Sequence, residues 1–542
     1  MFDTIIVGAG SAGCVLANRL SADPARRVLV LEAGRAAPLA SDIPSDWPTM
    51  FNTAVDWGYH TEPQPGCRGR RIFWPRGKMV GGSGALNAMI YIRGLPSDYD
   101  GWAAAGCPGW GWNEVLPDFI AFENNANLGD SPLHGTGGPL HVANAPYTDP
   151  HEHMWVAACQ AACLPYNPDF NGTSQEGAGF YQFVIKDGER FGTGKAYLRP
   201  ALERPNLSLK TGVLVIRILI ENGRAIGVEY IENGRLRTSH ATSEVVMSAG
   251  AIGTAQQLLL SGIGPADELK AIGIDPVLDL PGVGKNLQDH INIPITFYTK
   301  DAIGVGAWTD ESLAASLRQW QESRSGPRSS PWVAAGAHVR SRADIEPDLQ
   351  LYGAISPHRD YVRFLSSKPG ITMHCVLQRP NSRGEIRLRS ADPIEYPAID
   401  PRYFVSDTTG EDIATLVEGV RLNRRIASQS PLKELIEAEV TPSAEATSDA
   451  DIAHYVRGHC TTLYHAASTC RMGRDTMAVV DPETFRVHGL DGLRIADASV
   501  IPIMISGNIQ TPTLLIAERA ARAIAATKKE CGESSPYERP ML

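Results

Sequence analysis

Gly8, Gly10 and Gly13 follow directly on the apolar run Thr4-Ile5-Ile6-Val7 and open the stretch SAGCVLANRLSAD, which has the pattern of a helix. A strand that feeds a helix through so tight a glycine turn must cross over to a second, parallel strand, and RRVLVLEAG supplies one. Its end carries Glu32, about 20 residues past the first glycines. Each part has a physical task. Gly8 makes the turn, Gly10 lets a pyrophosphate approach the backbone, and Gly13 lets helix and strand pack closely. The helix N-terminus faces the phosphates, and Glu32 binds an adenosine ribose. An acid at that position disfavours NADP, whose extra phosphate it would repel. Only one such fingerprint occurs. PGVGKNLQDH, from Pro281, has G-x-G but no strand before it, and no Ser or Thr follows Lys285 as a phosphate-binding P-loop requires. One dinucleotide is therefore expected, and both FAD and NAD satisfy the pattern.

The chain has 542 residues, which predicts more than one domain. A net charge of −10 argues against nucleic acid and anionic membrane surfaces as partners. Nine cysteines, an odd number without C-x-x-C spacing, fit free thiols in a reducing compartment better than a disulfide framework. No apolar run reaches the roughly 20 residues of a spanning helix, and the first strand starts too early to leave room for a signal peptide. A cytoplasmic protein without a membrane span is expected.

Farther along, Ala36 to Arg76 is rich in Pro, Trp and Asp and predicts irregular chain. The cluster Gly81-Gly82-Ser83-Gly84 follows, and a helix is expected after it. Leu207 to Tyr230 alternates around a turn at Glu221-Asn222-Gly223, as hairpins do. SEVVMSAGAIGTAQQLLLSG again predicts strand, glycine turn and helix. Ile291 to Ile399 contains β-rich runs such as ITMHCVLQ, residues 410–428 and 448–456 predict helices, and TPTLLIAERAARAIAA predicts another begun by Thr511-Pro512.

GKMVGGSGALNAMIYIRGLPSDYD fits the first signature of the glucose–methanol–choline (GMC) oxidoreductases. GAIGTAQQLLLSGIG resembles the second, with Ala255 and Gln257 as departures. HGTGGPL, DFNGTSQEG, AYLRPALERPNL, PGVGKNLQDH, YHAASTCRMG and LRIADASVIP resemble the family's text in its order, from Asp3 to about Ala525. The resemblance implies an α/β FAD-binding Rossmann-like domain interleaved with an α+β substrate domain on an antiparallel sheet. The FAD-binding parts are expected at 1–150, 190–290 and 460–525, the substrate-binding parts at 151–189 and 291–459, and a polar tail at 526–542. It implies FAD contacts at Gly8, Gly10, Ser11, Ala12, Gly13, Glu32 and Ala33, and at Val80, Gly82, Ser83, Asn87, Ala88 and Met89. Val215, Ala249, Asp497, Ala498, Asn508, Gln510 and Thr511 complete the set. Some members link flavin covalently through a His before the Asn. Leu86 stands there, so noncovalent FAD is expected.

Alcohol oxidation removes a proton from oxygen and a hydride from carbon, and histidine suits the first task near neutral pH. By resemblance His465 is that base, Asn508 holds the substrate oxygen, and flavin N5 takes the hydride. No metal site is expected: His151 and His153 lack the i, i+4 spacing of a helical zinc pair, and His459 with Cys460 lacks further ligands. One of Trp308, Trp320 and Trp332 is a candidate for the pocket wall, and Leu463 and Tyr464 for access to the base. Choline dehydrogenases carry Glu in E-x-G-x-F, where this chain has AAGAH, with Ala334 and His338 substituted. The expected substrate is therefore a neutral primary alcohol, aromatic, furanic or aliphatic. The expected acceptor is O₂, with a quinone- or dye-linked alcohol or choline-type dehydrogenase as the alternative. Relatives that split hydroxynitriles or photodecarboxylate fatty acids keep the same signatures.

Overall fold

The computed structural model describes residues 1–301, 308–354 and 368–530. Two seven-stranded sheets organise them. The first runs in the order Leu207–Thr211, Val28–Glu32, Phe2–Val7, Arg235–Met247, Arg224–Glu232, Val213–Glu221, with Leu493–Ile495 also paired to Arg235–Met247. Its middle is parallel: Phe2–Val7 lies between Val28–Glu32 and Arg235–Met247. Strands covered on both faces run apolar along their length, and Val28–Glu32 is buried at every position, its one acid, Glu32, standing at the strand's end. The expected hairpin turns at Asn222 and Gly223 and forms the antiparallel flank.

The second sheet is antiparallel, in the order Ile436–Thr441, Ile291–Thr299, Gly370–Leu377, Leu349–Ala354, Ala335–Val339, Gly177–Phe180, with Thr461–Thr462 added to Ile291–Thr299. The helix Glu411–Ala427 packs on Gly370–Leu377. The helix Gln510–Glu530 packs on the first helix, Ser11–Leu20, so the end of the chain completes the dinucleotide-fold layer begun at its start.

Three expectations change. No α-helix follows the Gly81 cluster. Gly82–Ala85 makes a single 3₁₀ turn, a short strand follows at Ile90–Tyr91, and the next helix is Pro96–Ala104. The buried Arg190 explains this: its guanidinium takes the Gly84 carbonyl (3.1 Å), the Asn87 carbonyl (2.7 Å) and the Asn87 side chain (2.7 Å), acceptors that a helix would have used otherwise. Second, the β-rich middle contains the helix Asp310–Ser323, capped by Thr309 and buried chiefly at Ser316 and Trp320. Third, the last helix continues through Glu530, past the expected start of the polar tail at 526. Residues 531–542 lie outside the described residues.

Candidate active site

A cavity of about 600 Å³ connects the two sheets. One end is built from backbone. The glycine turn leads into the helix Ser11–Leu20, whose first amides have no side-chain cap. A Cβ on Gly13 would lie 1.9 Å from the Gly8 carbonyl oxygen, so only glycine fits. Gly82, at φ 54°, abuts Gly10: a Cβ there would lie 2.7 Å from the Gly10 Cα. The Gly81 cluster is thus glycine-rich because two loops touch main chain to main chain. On Gly10, by contrast, a Cβ would meet nothing nearer than 3.9 Å, the open side of the turn. Uncapped helix amides beside an open glycine turn form a cradle for phosphate oxygens.

Glu32 lines this end. It accepts from the amides of Ala9 (2.8 Å) and Gly34 (2.7 Å), and burial pushes its carboxyl above the ordinary range. Asp497 accepts from the Gly250 amide (2.9 Å), Thr254 (2.6 Å) and the Ser499 amide (2.8 Å). Gln510 accepts from Ser11 (2.9 Å) and joins the last helix to the first glycine turn. Val215 lies on the wall, and Gln257 donates to its carbonyl (3.1 Å). Of the residues expected at the cofactor, Gly8, Gly10, Ser11, Ala12, Glu32, Ala33, Gly82, Ser83, Asn87, Ala88, Met89, Val215, Ala249, Asp497, Ala498, Asn508 and Gln510 line the cavity. Gly13, Val80 and Thr511 stand behind that lining.

The other end is built from side chains. His465 is buried, and its Nε2 lies 3.3 Å from Asn508 Nδ2. Its Nδ1 lies 2.7 Å from Nδ1 of His290. His290 Nε2 faces two carbonyl oxygens, of Gln378 (3.0 Å) and Ile505 (2.9 Å). Carbonyls only accept, so His290 Nε2 carries hydrogen. Burial pushes its pKa down to about 4, which keeps it neutral and leaves Nδ1 bare. His465 Nδ1 must then donate, and His465 Nε2 presents a lone pair to Asn508. Burial, then the nearby His290 and Arg76, hold His465 well below the ordinary histidine pKa. The His465 amide donates to Asp289 (2.8 Å), a buried acid that also accepts from Tyr403. Burial raises Asp289 to about 6.

The Asn508 side chain is oriented by the second sheet. Its Oδ1 accepts from Gln350 Nε2 (3.3 Å) and the Tyr352 hydroxyl (3.3 Å). Gln378 Nε2 donates to Gln350 Oε1 (3.1 Å) and so fixes which way that amide points. Gln350, Tyr352 and Gln378 carry no signal in the sequence that marks them out, because each sits at an ordinary strand or loop position. Asp289 and His290, by contrast, lie within the resembling stretch NLQDH.

Aromatic rings close this end. Phe51 packs on Tyr464 at 5.4 Å and on Trp47 at 5.6 Å, and Trp47 donates to the Pro331 carbonyl (3.1 Å), next to Trp332. Of the three candidate tryptophans Trp332 lines the cavity. Trp308 packs edge-on against it at 5.5 Å, and Trp320 is buried with its indole donating to the Gly188 carbonyl (2.8 Å). Leu463 and Tyr464 both line the wall, as does Leu86 where a flavin-linking His stands in some relatives. Ala334 and His338 do not; His338 faces Tyr181 (3.3 Å). His459 stacks on Tyr455 at 4.3 Å. Among the described lining residues the only carboxylates are Glu32 and Asp497, both at the backbone end, while Arg76 and Lys78 supply the cations. No helix among the described residues is long and apolar enough to cross a membrane.

Two family models described as GMC oxidoreductase match the chain, one over residues 2–292 and the other over 380–517. The chain is 40% identical over 531 residues to an alcohol dehydrogenase [acceptor] of Pseudomonas putida, covering 97% of this chain and 96% of that one. It is 39% identical over 538 residues to the mitochondrial choline dehydrogenase of Mus musculus, covering 96% and 89%. A solved structure of a formate oxidase mutant from Aspergillus oryzae, determined for the effect of the mutation on FAD modification, superposes with a TM-score of 0.90 at 28% identity, over 98% of this chain and 99% of that one.

Proposed function

The chain belongs to the GMC oxidoreductase family, and from that premise we propose that it oxidises a neutral primary alcohol to the aldehyde with noncovalently held FAD, His465 serving as the base. Bound FAD supplies the two-electron acceptor for the carbon-bound hydrogen. The cradle fits it: uncapped amides of the Ser11 helix for the phosphates, Glu32 for a ribose, and the Gly82 to Met89 segment along the wall. Leu86 offers no atom for a covalent flavin link. In this reading the expected segments 1–150, 190–290 and 460–525 carry this half and also bring Trp47, Phe51, Tyr464, His465 and Asn508 to the substrate, while 291–459 adds Trp332 and Tyr352.

The observation that carries the chemistry is the His290–His465–Asn508 chain of hydrogen bonds. It gives His465 an unprotonated Nε2 beside a side-chain amide donor. A substrate hydroxyl placed there donates its proton to Nε2, while Asn508 Nδ2 donates to the same oxygen and holds it through the transfer. Held neutral by burial, His465 is ready as a base at neutral pH. The wall around it selects for apolar, uncharged groups. Phe51, Trp47, Trp332 and Tyr464 receive a ring or alkyl chain, and among the described lining residues no carboxylate stands at this end to hold an ammonium, whereas Arg76 would repel one.

O₂ is the acceptor in this proposal. The 40% identity to a protein named alcohol dehydrogenase [acceptor] favours a second reading, in which a quinone takes the electrons. The test is a panel of benzyl alcohol, hydroxymethylfurfural, 1-butanol and choline, each followed anaerobically by loss of flavin colour and aerobically by peroxide and by dye reduction. Benzyl alcohol should bleach the flavin faster than choline. Choline as the best substrate would overturn the neutral-alcohol proposal, and fast dye reduction without peroxide would replace O₂ by the quinone. Cyanide release from a hydroxynitrile with the flavin spectrum unchanged would indicate a lyase instead.

A further inference from the structure

Away from the cavity chemistry, two cysteines far apart in sequence meet. The sulfurs of Cys67 and Cys460 lie 3.3 Å apart, 393 residues from one another along the chain, and both side chains are fully buried. We propose that this pair is a redox modification site, which hydrogen peroxide converts to a Cys67–Cys460 disulfide.

Four observations carry it. The contact is enforced by the backbone. Arg70, on the Cys67 segment, donates to the carbonyls of Gly458 and Cys460, and Arg457, on the Cys460 segment, donates to the Gly66 carbonyl (3.1 Å). These reciprocal clamps hold the two segments together from both sides. Second, the same arginines place positive charge near the sulfurs, the environment in which thiolates form. The hydrogen bond with Cys67, with Arg70 and Arg457 behind it, pulls the Cys460 thiol below its ordinary value. The same contact, then burial, pushes Cys67 up. Third, the pair lies just below the surface: Cys67 ends the turn Pro65–Cys67, and Arg68 and Gly69 beside it are exposed. Fourth, neither Cys67 nor Cys460 lines the cavity, so neither is occupied by the alcohol chemistry.

The reaction balances in two steps. The Cys460 thiolate attacks one peroxide oxygen, the O–O bond breaks, and a sulfenic acid forms with release of water. The Cys67 sulfur then attacks Cys460 Sγ, the S–O bond breaks, and a second water leaves as the S–S bond forms. The two thiols lose two electrons and two protons, and one peroxide becomes two waters. Cys460 immediately precedes the strand Thr461–Thr462, which pairs with Ile291–Thr299 and leads to His465, so the bond would staple the turn at Cys67 to the segment that bears the base.

The test uses the whole holoenzyme, reduced with dithiothreitol, desalted, exposed to hydrogen peroxide, alkylated and digested without reduction. The expected result is one cross-linked peptide pair containing Cys67 and Cys460, two hydrogens lighter than the sum of its parts and abolished by dithiothreitol. In Cys67→Ala the cross-link is absent and Cys460 is trapped by dimedone instead. Recovery of Cys67 and Cys460 as alkylated thiols while the exposed Cys163 is oxidised overturns the proposal. So does sulfinic acid at Cys460 with no cross-link. Because the wild-type map alone decides, a variant that fails to fold does not obscure the answer.

Discussion

The two ends of the cavity solve different problems with different atoms. At the Gly8 end the wall is main chain: amides, carbonyls and the absence of side chains at Gly10, Gly13 and Gly82. At the His465 end it is side chain: imidazole, amide, phenol and indole, brought from the second sheet and from loops far apart in the chain and held by bonds among themselves. Backbone geometry tolerates almost no substitution but says little about what is bound beyond its phosphate-like shape. Side-chain geometry tolerates graded change, and it is there that chemistry and selectivity reside. Variants at the two ends should therefore fail differently, the first by losing the cofactor and the second by losing rate with the cofactor in place.

The largest effect is expected at the backbone end. Gly82→Val puts a Cβ 2.7 Å from Gly10 at a φ of 54°, strain of about 1–3 kcal/mol from the dihedral alone before the clash is counted. The variant should elute from gel filtration colourless or fail to fold. A fully yellow, stable Gly82→Val protein would show that main-chain contact does not govern this end.

Next comes His465→Ala. Flavin content should match the wild type, while anaerobic reduction by alcohol slows about 10²–10⁴-fold, the usual share of a positioned base. Asn508→Ala should slow it less, about 10–100-fold, since orientation rather than proton transfer is lost. Stopped-flow absorbance measures both. Parental rates in His465→Ala would defeat its assignment as base.

Glu32→Ala should weaken FAD by about 1–3 kcal/mol, the cost of losing a charged hydrogen-bond partner. It also leaves the Ala9 and Gly34 amides without their acceptor. Dialysis followed by fluorescence of released FAD reads the loss, and equal retention would count against the ribose assignment.

Tyr352→Phe removes one of the two donors to Asn508 Oδ1 and should cost about 0.5–1.5 kcal/mol in the reduction barrier without changing FAD content. An unchanged rate would mean that Gln350 alone orients the amide.

The smallest effect is that of pH. Because His465 is held well below the usual histidine pKa, it is already deprotonated at neutrality. The reduction rate should rise as pH increases through a midpoint below 6.5 and vary less than about twofold from 7 to 9. A midpoint above 7.5 would mean that a carboxylate holds the imidazolium, contrary to this setting.

The contrast between the ends also explains what could be read in advance. The glycine turn, the helix Ser11–Leu20, the acid Glu32, the hairpin at Asn222 and the final helix are local devices, each written within a short window by φ requirements and hydrophobic period, so the sequence announces them. His465 and Asn508 were found through family resemblance, since neither has a local pattern that sets it apart. The expected helix after the Gly81 cluster failed because a distant Arg190 takes the carbonyls that the helix needed. Ala334 and His338, compared with the choline dehydrogenase stretch, are buried outside the cavity lining, His338 on the strand Ala335–Val339 and Ala334 just before it.

By itself, then, the sequence determined a dinucleotide cradle and its one fingerprint, because those follow from chain conformation between near neighbours. The tautomer of His465, the orientation of Asn508, the aromatic closure around Trp332 and the meeting of Cys67 with Cys460 were decided only in the tertiary structure. Each depends on atoms that the fold brings together from distant parts of the chain, and hydrogen-bond direction and burial, the forces that settle them, exist only once those atoms share a place.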